Sequence, residues 1–273
     1  MIPESGGTTR RRAFDHTVAH PARVYDYWLG GKDNFAADRE AGEQALKAYP
    51  EIRHGVRANR AFLGRAVRFL AADAGLRQFL DIGTGIPTEN NTHQVAQAVA
   101  PDARVVYVDN DPMVLSHARA LLTSCPEGAC SYIDADLRDV GGILKQAADT
   151  LDFSRPVAVT LLAILQFIPD SDDPYGLVAR LMGAVPSGSY LVLSHPTDDM
   201  NSSELSGESI RLYNELVAET ATLRTRAETV RFFDGLELLE PGVVASAQWR
   251  PEIEVQVGAA TSGTMWSGVA RKP

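Results

Sequence analysis

Two cysteines, Cys125 and Cys130, are all that this 273-residue chain contains. With no histidine cluster beside them they form neither a zinc framework nor a disulfide scaffold, so two reduced thiols and no bound metal are expected. Long apolar runs are missing as well. None reaches the roughly 18 residues that a membrane span requires, and the polar N-terminus lacks the apolar core of a signal peptide. A cytoplasmic protein with no membrane partner is therefore expected. Positive charge is scarce: 26 Lys and Arg stand against 35 Asp and Glu, a formal net charge of −9. Binding a phosphate backbone draws on clustered Lys and Arg, so nucleic acid is not expected as a partner. The local exception, Arg10-Arg11-Arg12, follows Ser5-Gly6-Gly7-Thr8-Thr9 and reads as part of a disordered tail over residues 1–15.

What is present is a change of pattern near Gln78. Before it, residues 16–75 read as a helical prefix: an aromatic-rich stretch broken by Gly30-Gly31, then a helix over 58–72 with Phe62, Leu63, Ala66, Val67 and Leu70 at helical spacing. After it, residues 76–273 alternate strands and helices. Short apolar or β-branched runs at 79–82, 104–109, 131–134, 156–161 and 189–194 read as strands. Between them lie helix signals: a run over 92–99, and Asp111-Pro112 and Asp173-Pro174, where Asp suits the N-cap and Pro the first helical position. The inward face of the first Asp-Pro helix would carry Val114, Leu115, Ala118, Leu121 and Leu122. A long helix is expected over 203–223, with Leu205, Leu212, Leu216, Val217 and Leu223 along one side. A capping box at Thr225 to Glu228 opens another helix, and strands at 236–239 and 264–270 would finish one edge as a hairpin. With no repeat or linker, the pattern predicts a doubly wound α/β domain. Its mostly parallel, seven-stranded sheet would carry helices on both faces and an N-terminal helical lid.

In such sheets ligands bind beyond the carboxyl ends of the strands, where strand order reverses. The first strand ends in Asp81-Ile82-Gly83-Thr84-Gly85. Two glycines allow a sharp turn and close approach of a ligand to the backbone. A dinucleotide site would want a third glycine where Thr88 stands, and no Gly-Lys-Ser/Thr follows for a P-loop. The acidic residue inside the motif instead suits a ligand end carrying both an ammonium and a carboxylate. Asp81 would meet the ammonium, and loop N–H groups the carboxylate. Asp109, followed by Asn110, ends the second strand 24 residues beyond Gly85 (109 − 85), near the spacing of an acid that accepts both ribose hydroxyls. Asp111 fits a helix cap better. Asp136 would accept from an adenine amine after the third strand, with Leu137 packed on the ring and Ala163 following the fourth. Acids at the ends of successive strands, in step with the glycine loop, point to S-adenosylmethionine.

These residues together resemble the class I S-adenosylmethionine-dependent methyltransferases. The runs Tyr25-Asp26-Tyr27-Trp28-Leu29-Gly30-Gly31-Lys32-Asp33-Asn34-Phe35, Arg57-Ala58-Asn59-Arg60-Ala61-Phe62-Leu63 and Phe79 to Thr88 narrow the match. They resemble the actinobacterial S-adenosyl methyltransferase family first described as a domain of unknown function. The resemblance, from about residue 15 onward, implies a Rossmann-like fold and cofactor binding but no particular acceptor. A histidine belongs to the family's pattern where Gln166 stands, and glutamine cannot act as a general base.

Methyl transfer from a sulfonium asks the protein mainly to align acceptor and methyl and to exclude water. Tyr25, Trp28, Lys32, Asn34 and Gln166 are expected to line the cofactor or acceptor pocket beneath the lid. Arg57 and Arg60 could reach a ligand carboxylate. His195, after the fifth strand, is the remaining candidate base, and His93 could touch the methionine end. A small-molecule methyltransferase is the leading expectation. A module that holds S-adenosylmethionine or its demethylated product without catalysis is a second, and a nicotinamide-dependent oxidoreductase, disfavoured by Thr88, a third.

Overall fold

The computed structural model describes residues 15–121, 123–200, 203–217, 219–251 and 263–273; residues 1–14 of the expected tail, and Leu122, lie outside them. In chain order the elements are α1 (Pro21–Leu29), α2 (Ala36–Ala48), α3 (Ile52–Ala72), β1 (Gln78–Ile82), α4 (Thr92–Val99), β2 (Arg104–Asp109), α5 (Pro112–Leu121), β3 (Ala129–Asp134) and α6 (Val140–Ala147). They continue with β4 (Ala158–Leu162), α7 (Pro174–Ala184), β5 (Tyr190–Pro196), α8 (Ser203–Asn214), α9 (Arg226–Val230), β6 (Glu237–Leu238), β7 (Val244–Ala245) and β8 (Met265–Arg271). Among the described residues no helix is long and apolar enough to cross a membrane.

The sheet runs β3-β2-β1-β4-β5-β8-β6, with β7 also on β8. Strands β1 to β5 pair in parallel. Strand β8 is antiparallel to β5 on one side and to β6 and β7 on the other. Because β6 and β7 meet different stretches of the same edge of β8, they form one interrupted seventh strand, which agrees with the seven positions expected. Alternation along β1 sends Leu80 and Ile82 to one core and Phe79 to the other. The first core lies against α6 and α7. The second lies under α3 and α4, where fully buried Trp249 meets Phe62 edge-on at 5.4 Å and Phe69 at 6.1 Å between ring centres.

The Asp-Pro starts hold. Asp111 Oδ1 accepts from the Met113 N–H at 2.8 Å, and Asp173 Oδ1 from the Gly176 N–H at 2.9 Å. Helix α6 was not among the helices expected from the sequence. Asp139 caps it through the Gly142 N–H at 2.9 Å, and a Cβ at Gly142 would lie 2.1 Å from that carboxylate.

Helix α8 corrects the long helix expected to Leu223. Asn214 stops it: its side chain donates to Ala221 O at 2.9 Å and accepts from the Ala221 N–H at 2.8 Å, closing the chain into a loop. The leucine stripe is also not the packed face. Leu205 is 48% and Leu216 39% exposed, whereas Ser206, Ser209 and Tyr213 are buried. Small residues win here because α8 lies close against α2, with the Ser209 hydroxyl donating to Ala45 O at 3.0 Å.

The prefix folds around buried carboxylates. Asp38 accepts from the His20 N–H (2.9 Å) and the Phe35 N–H (2.8 Å) and pairs with Arg23 Nε at 3.2 Å. Asp26 accepts from the Asp33 N–H (3.0 Å) and from Asn34 Nδ2 (2.8 Å), bracing the turn in which Gly30 takes φ +87°. A Cβ at Gly31 would overlap the Asp26 carboxylate, 2.0 Å away. The specific Tyr-Asp-Tyr-Trp-Leu-Gly-Gly-Lys-Asp-Asn-Phe run thus encodes the α1–α2 corner.

Replacing Trp249 with Ala leaves a large cavity between α3 and the sheet and is expected to cost about 3–5 kcal/mol, as such truncations do. A chemical-denaturation midpoint that moves downward with an unchanged slope checks this.

Candidate cofactor and acceptor site

Strand β1 is the reversal point of the sheet, because the chain builds β2 and β3 to one side of it and β4 and β5 to the other. A large cavity opens there, floored by the carboxyl ends of these strands and roofed by α1, α2, α3 and α8.

At its floor Gly83 and Gly85 adopt φ +74° and +65°. A Cβ at Gly83 would lie 2.5 Å from Ile164, whereas one at Gly85 would meet no atom within 4 Å and would project into open space. The loop's N–H groups do not face the cavity as expected. Gly83 and Thr84 donate to Val108 O (2.8 and 3.3 Å), and Gly85 to Asp109 Oδ2 at 2.9 Å. Asp81 lines the cavity but is buried, and it accepts from the hydroxyls of Thr92 (2.6 Å) and Thr160 (2.7 Å). Burial pushes its carboxyl above the ordinary range, against those hydrogen bonds and the Arg60 charge. Its reach to a ligand ammonium is therefore electrostatic or through water, since a buried carboxylate first satisfies its own lone pairs.

Asp109, at the end of β2, is the second buried acid of the cavity lining. It accepts from Gly85 N–H and, through Oδ1, from the Asp111 N–H at 3.0 Å. Burial lifts its pKa to about 6, opposed by those N–H bonds and by His20. Beside it Asn110 also lines the cavity. His20 Nδ1 approaches Asp111 Oδ2 at 2.9 Å and ties the prefix to the second strand's end.

After β4 the chain bends sharply. Ala163 sits at φ +51° with its N–H on Ser194, O and Oγ both at 3.1 Å. Gln166 folds back so that Nε2 donates to Ala163 O at 2.7 Å, while its buried Oε1 has no partner. From the cap, Tyr25 donates to Val56 O (3.2 Å) and receives from Asn59 Nδ2 (3.1 Å), and Trp28 Nε1 donates to Gly42 O (3.1 Å). All four residues line the cavity.

Several expected residues are not brought there. Lys32 is exposed and outside the cavity lining, and Asn34 is engaged by Asp26 and by Gly31 O at 3.0 Å, so it serves the corner and not the pocket. Asp136 is half-exposed and held by Arg138, which also grips Asp172; Leu137 is buried in the core beneath. Arg57 is exposed, whereas Arg60 does line the cavity. His93 pairs with the Tyr107 hydroxyl at 2.8 Å inside the core. His195 is fully buried between Pro196 O (Nδ1, 2.8 Å) and Arg224 (2.9 Å to Nε2), and burial drives its pKa to about 3. A neutral ring whose lone pair already accepts from a guanidinium is not a base for substrate. Other cavity residues went unnoticed in the sequence, notably Tyr213, Glu219, Thr264 and Met265. One signal was present: Val56, Asn59, Arg60 and Leu63 follow the i, i+3, i+4, i+7 spacing of a single face of α3.

A reversal-point cavity with a glycine turn and an acid on each of two adjacent strand ends is the arrangement of a class I methyltransferase. Residues 7–273 match the model of the S-adenosyl methyltransferase family, and the chain belongs to that family. It is 48% identical to a DUF574 family protein from Streptomyces avermitilis (TM-score 0.91, covering 95% of this chain and 99% of that one). It is 42% identical to a methyltransferase candidate from Thermobifida fusca (TM-score 0.86, 94% and 96%). At 13% identity it shares its fold with a SAM-dependent methyltransferase from Anabaena variabilis (TM-score 0.52, 96% and 98%). No curated protein sequence matches it. Membership makes the protein an S-adenosylmethionine-dependent methyltransferase, and the nicotinamide alternative falls.

Asp109 sets an expected pH dependence. Its carboxyl is charged above a pKa of about 6 and protonated below it, and protonation removes acceptor lone pairs needed by hydroxyl donors. Cofactor affinity should be level above about pH 7 and fall by up to about tenfold per pH unit below 6. Calorimetric titration across this range checks it, with Asp109→Asn flattening the profile.

Proposed function

We propose that the protein transfers a methyl group from S-adenosylmethionine to a small-molecule acceptor enclosed between the strand ends and the helical cap of residues 16–75 and α8, in the cytoplasm. The observation that carries this reading is a continuous cavity reaching from Gly85 and Asp109 to Trp28 and Tyr213. Cofactor and acceptor can therefore share one water-poor space. The residues fit the cofactor: the space above Gly85 is one a Cβ would fill, and Asp109 offers a carboxylate at ribose spacing.

When bound, S-adenosylmethionine supplies a methyl group on a positively charged sulfur, which needs no further activation. The chain's contribution is alignment. Asp109 with Asn110 would hold the ribose side. Gly83, Thr84 and Gly85 would let the backbone approach closely, and Asp81 with Thr92 and Thr160 would set a negative field beside the ammonium and sulfonium. Arg60, on α3 near Asp81, is placed to balance the amino-acid carboxylate. Ala163 and Gln166 form the wall next to the transferring methyl, and Tyr25 and Trp28 close the space from above. No histidine base takes part, because Gln166 replaces one candidate and Arg224 engages the other. The acceptor's proton must leave by another cavity group or by water.

Titration with S-adenosylmethionine, S-adenosylhomocysteine and NAD tests the reading. The first two should bind and NAD should not; the reverse pattern would sink it. Asp109→Asn should weaken S-adenosylhomocysteine by about 10- to 100-fold, the loss expected of a charge-assisted hydrogen bond. Gly85→Val should weaken it further by filling the space above the turn, and its melting temperature should show only the smaller cost of a strained positive φ.

A further inference from the structure

The amino-acid end of S-adenosylmethionine presents an ammonium and a carboxylate on one carbon. The floor of the cavity offers this end a field more than contacts. Each oxygen of buried Asp81 already holds a threonine hydroxyl, and the N–H groups of Gly83, Thr84 and Gly85 are turned to Val108 O and Asp109. Direct partners for the amino-acid end must come from another wall.

Helix α3 supplies that wall, with Asn59 and Arg60 both in the cavity lining. Tyr25 uses its hydroxyl proton on Val56 O (3.2 Å), so toward Asn59 it can only accept. That fixes the amide with Nδ2 on Tyr25 at 3.1 Å. Asn59 is 3% exposed, and its Oδ1 is left buried without a partner. One helical turn earlier Gly55 has no side chain, and the Thr264 hydroxyl stands in its place, 1.6 Å from where a Cβ would be. Positions four apart on a helix lie about 5–6 Å from each other, so Thr264 Oγ1 and Asn59 share one patch. The Thr264 oxygen is likewise buried and unpartnered, and a hydroxyl can donate as well as accept. Arg60 donates to Glu89 O (3.2 Å) and Asn90 O (3.4 Å), neutral groups that do not cancel its charge. That charge reaches both the Asp81 carboxyl and the Tyr25 hydroxyl, opposing the rise that burial causes in each pKa. Tyr25, Asn59 and Arg60 therefore stand at the glycine-loop end of the cavity. Gln166 Oε1, another unpartnered carbonyl oxygen of the lining, comes from the wall after β4, and the Tyr213 hydroxyl comes from α8.

We propose that this patch of α3 is the subsite for the cofactor's amino-acid end: Asn59 Oδ1 accepts from the α-ammonium, while Arg60 and the Thr264 hydroxyl donate to the α-carboxylate. Tyr25 is the positioning residue that holds the Asn59 amide. The inference rests on the cofactor reading above and deepens it, because direct recognition of that end passes from strand β1 to the prefix. An ammonium suits the orphaned carbonyl, since it completes an unmade buried hydrogen bond inside the negative field of Asp81. A carboxylate suits an arginine beside a hydroxyl donor. The opposite polarity fails: an ammonium would face the guanidinium, and a carboxylate would face an oxygen with no proton to give. With Asp109 holding the ribose side at the end of β2, the bound cofactor ties the sheet to the prefix.

Calorimetric titration of the full chain with four nucleosides tests this. They are S-adenosylhomocysteine, its analogue without the ammonium, its analogue without the carboxylate, and 5′-methylthioadenosine, which lacks both groups. S-adenosylhomocysteine should bind about 10- to 100-fold tighter than either singly truncated analogue, the worth of a charge-assisted hydrogen bond. Asn59→Leu should erase the preference for the ammonium and keep that for the carboxylate, whereas Asn59→Asp should retain both. Arg60→Gln should do the converse of Asn59→Leu, and Thr264→Val should lower the carboxylate preference in part. Tyr25→Phe should reduce the ammonium preference alone. Binding of 5′-methylthioadenosine should be the same throughout, which also establishes that each variant folds. Equal binding of S-adenosylhomocysteine and the ammonium-free analogue overturns the proposal, as does an ammonium preference that survives Asn59→Leu or that Gln166→Leu removes instead. An Asn59→Leu chain that weakens all four nucleosides alike also overturns it, since the residue is then structural. If 5′-methylthioadenosine binds and only these ratios fail, the cofactor reading stands and this inference falls; if no nucleoside binds, both fall.

Discussion

Asp81 is a carboxylate in the middle of the sheet, and the way it is satisfied organises what surrounds it. The strand that carries it lies between β2 and β4, in register with Tyr107 on one side and Thr160 on the other. A buried acid without partners would be costly, so Thr160 from β4 and Thr92 from the start of α4 each bring a hydroxyl to one oxygen. Those contacts fix where α4 begins relative to β1 and how β1 meets β4 at the reversal point. The glycine turn follows at once, lashed to Val108 by its own N–H groups. The acid therefore acts first as a keystone of the strand ends and only through its field on anything bound above them.

The cap depends on a second set of buried acids. Asp38 and Asp26 gather backbone N–H groups, Arg23 and Asn34 into the α1–α2 corner. His20 then connects that corner to Asp111 at the end of β2. The polar residues of the prefix therefore position the roof, while its aromatic residues form the surface that faces the cavity. Strong local sequence signals and direct ligand contact are separate properties here, and Asn34 shows the difference: its amide is fully occupied within the corner.

The alternation of strands and helices was legible because each strand is a short apolar run and two helices open on Asp-Pro. The reversal-point site was legible for the same reason, as were Asp109, Ala163, Tyr25, Trp28 and Gln166 on its walls. What escaped was set by tertiary contact. Helix α6, for which no signal was read, carries Gly141-Gly142 in its first turn and is capped by Asp139. The leucines of α8 suggested a packed stripe, yet close approach to α2 selects Ser206 and Ser209. Asp136 has the right place along the chain for adenine, but Arg138, two residues on, claims its carboxylate. No local pattern could announce that Tyr25, the Tyr213–Glu219 stretch and Thr264 would meet around one space, since they come from three segments far apart in sequence.

That separation has a consequence for how the protein comes to exist. Strand β8 is inserted between β5 and the β6–β7 edge, and residues at its start share the cavity with α1. The two parts of the wall lie at opposite ends of the described chain, and such long-range pairings form late and slowly. The enclosure is complete only where β8 lies in the sheet, because Thr264 and Met265 form part of its wall. Ligand capture under the roof is then a report on the whole molecule: it becomes possible only once the last strand has been threaded into the sheet.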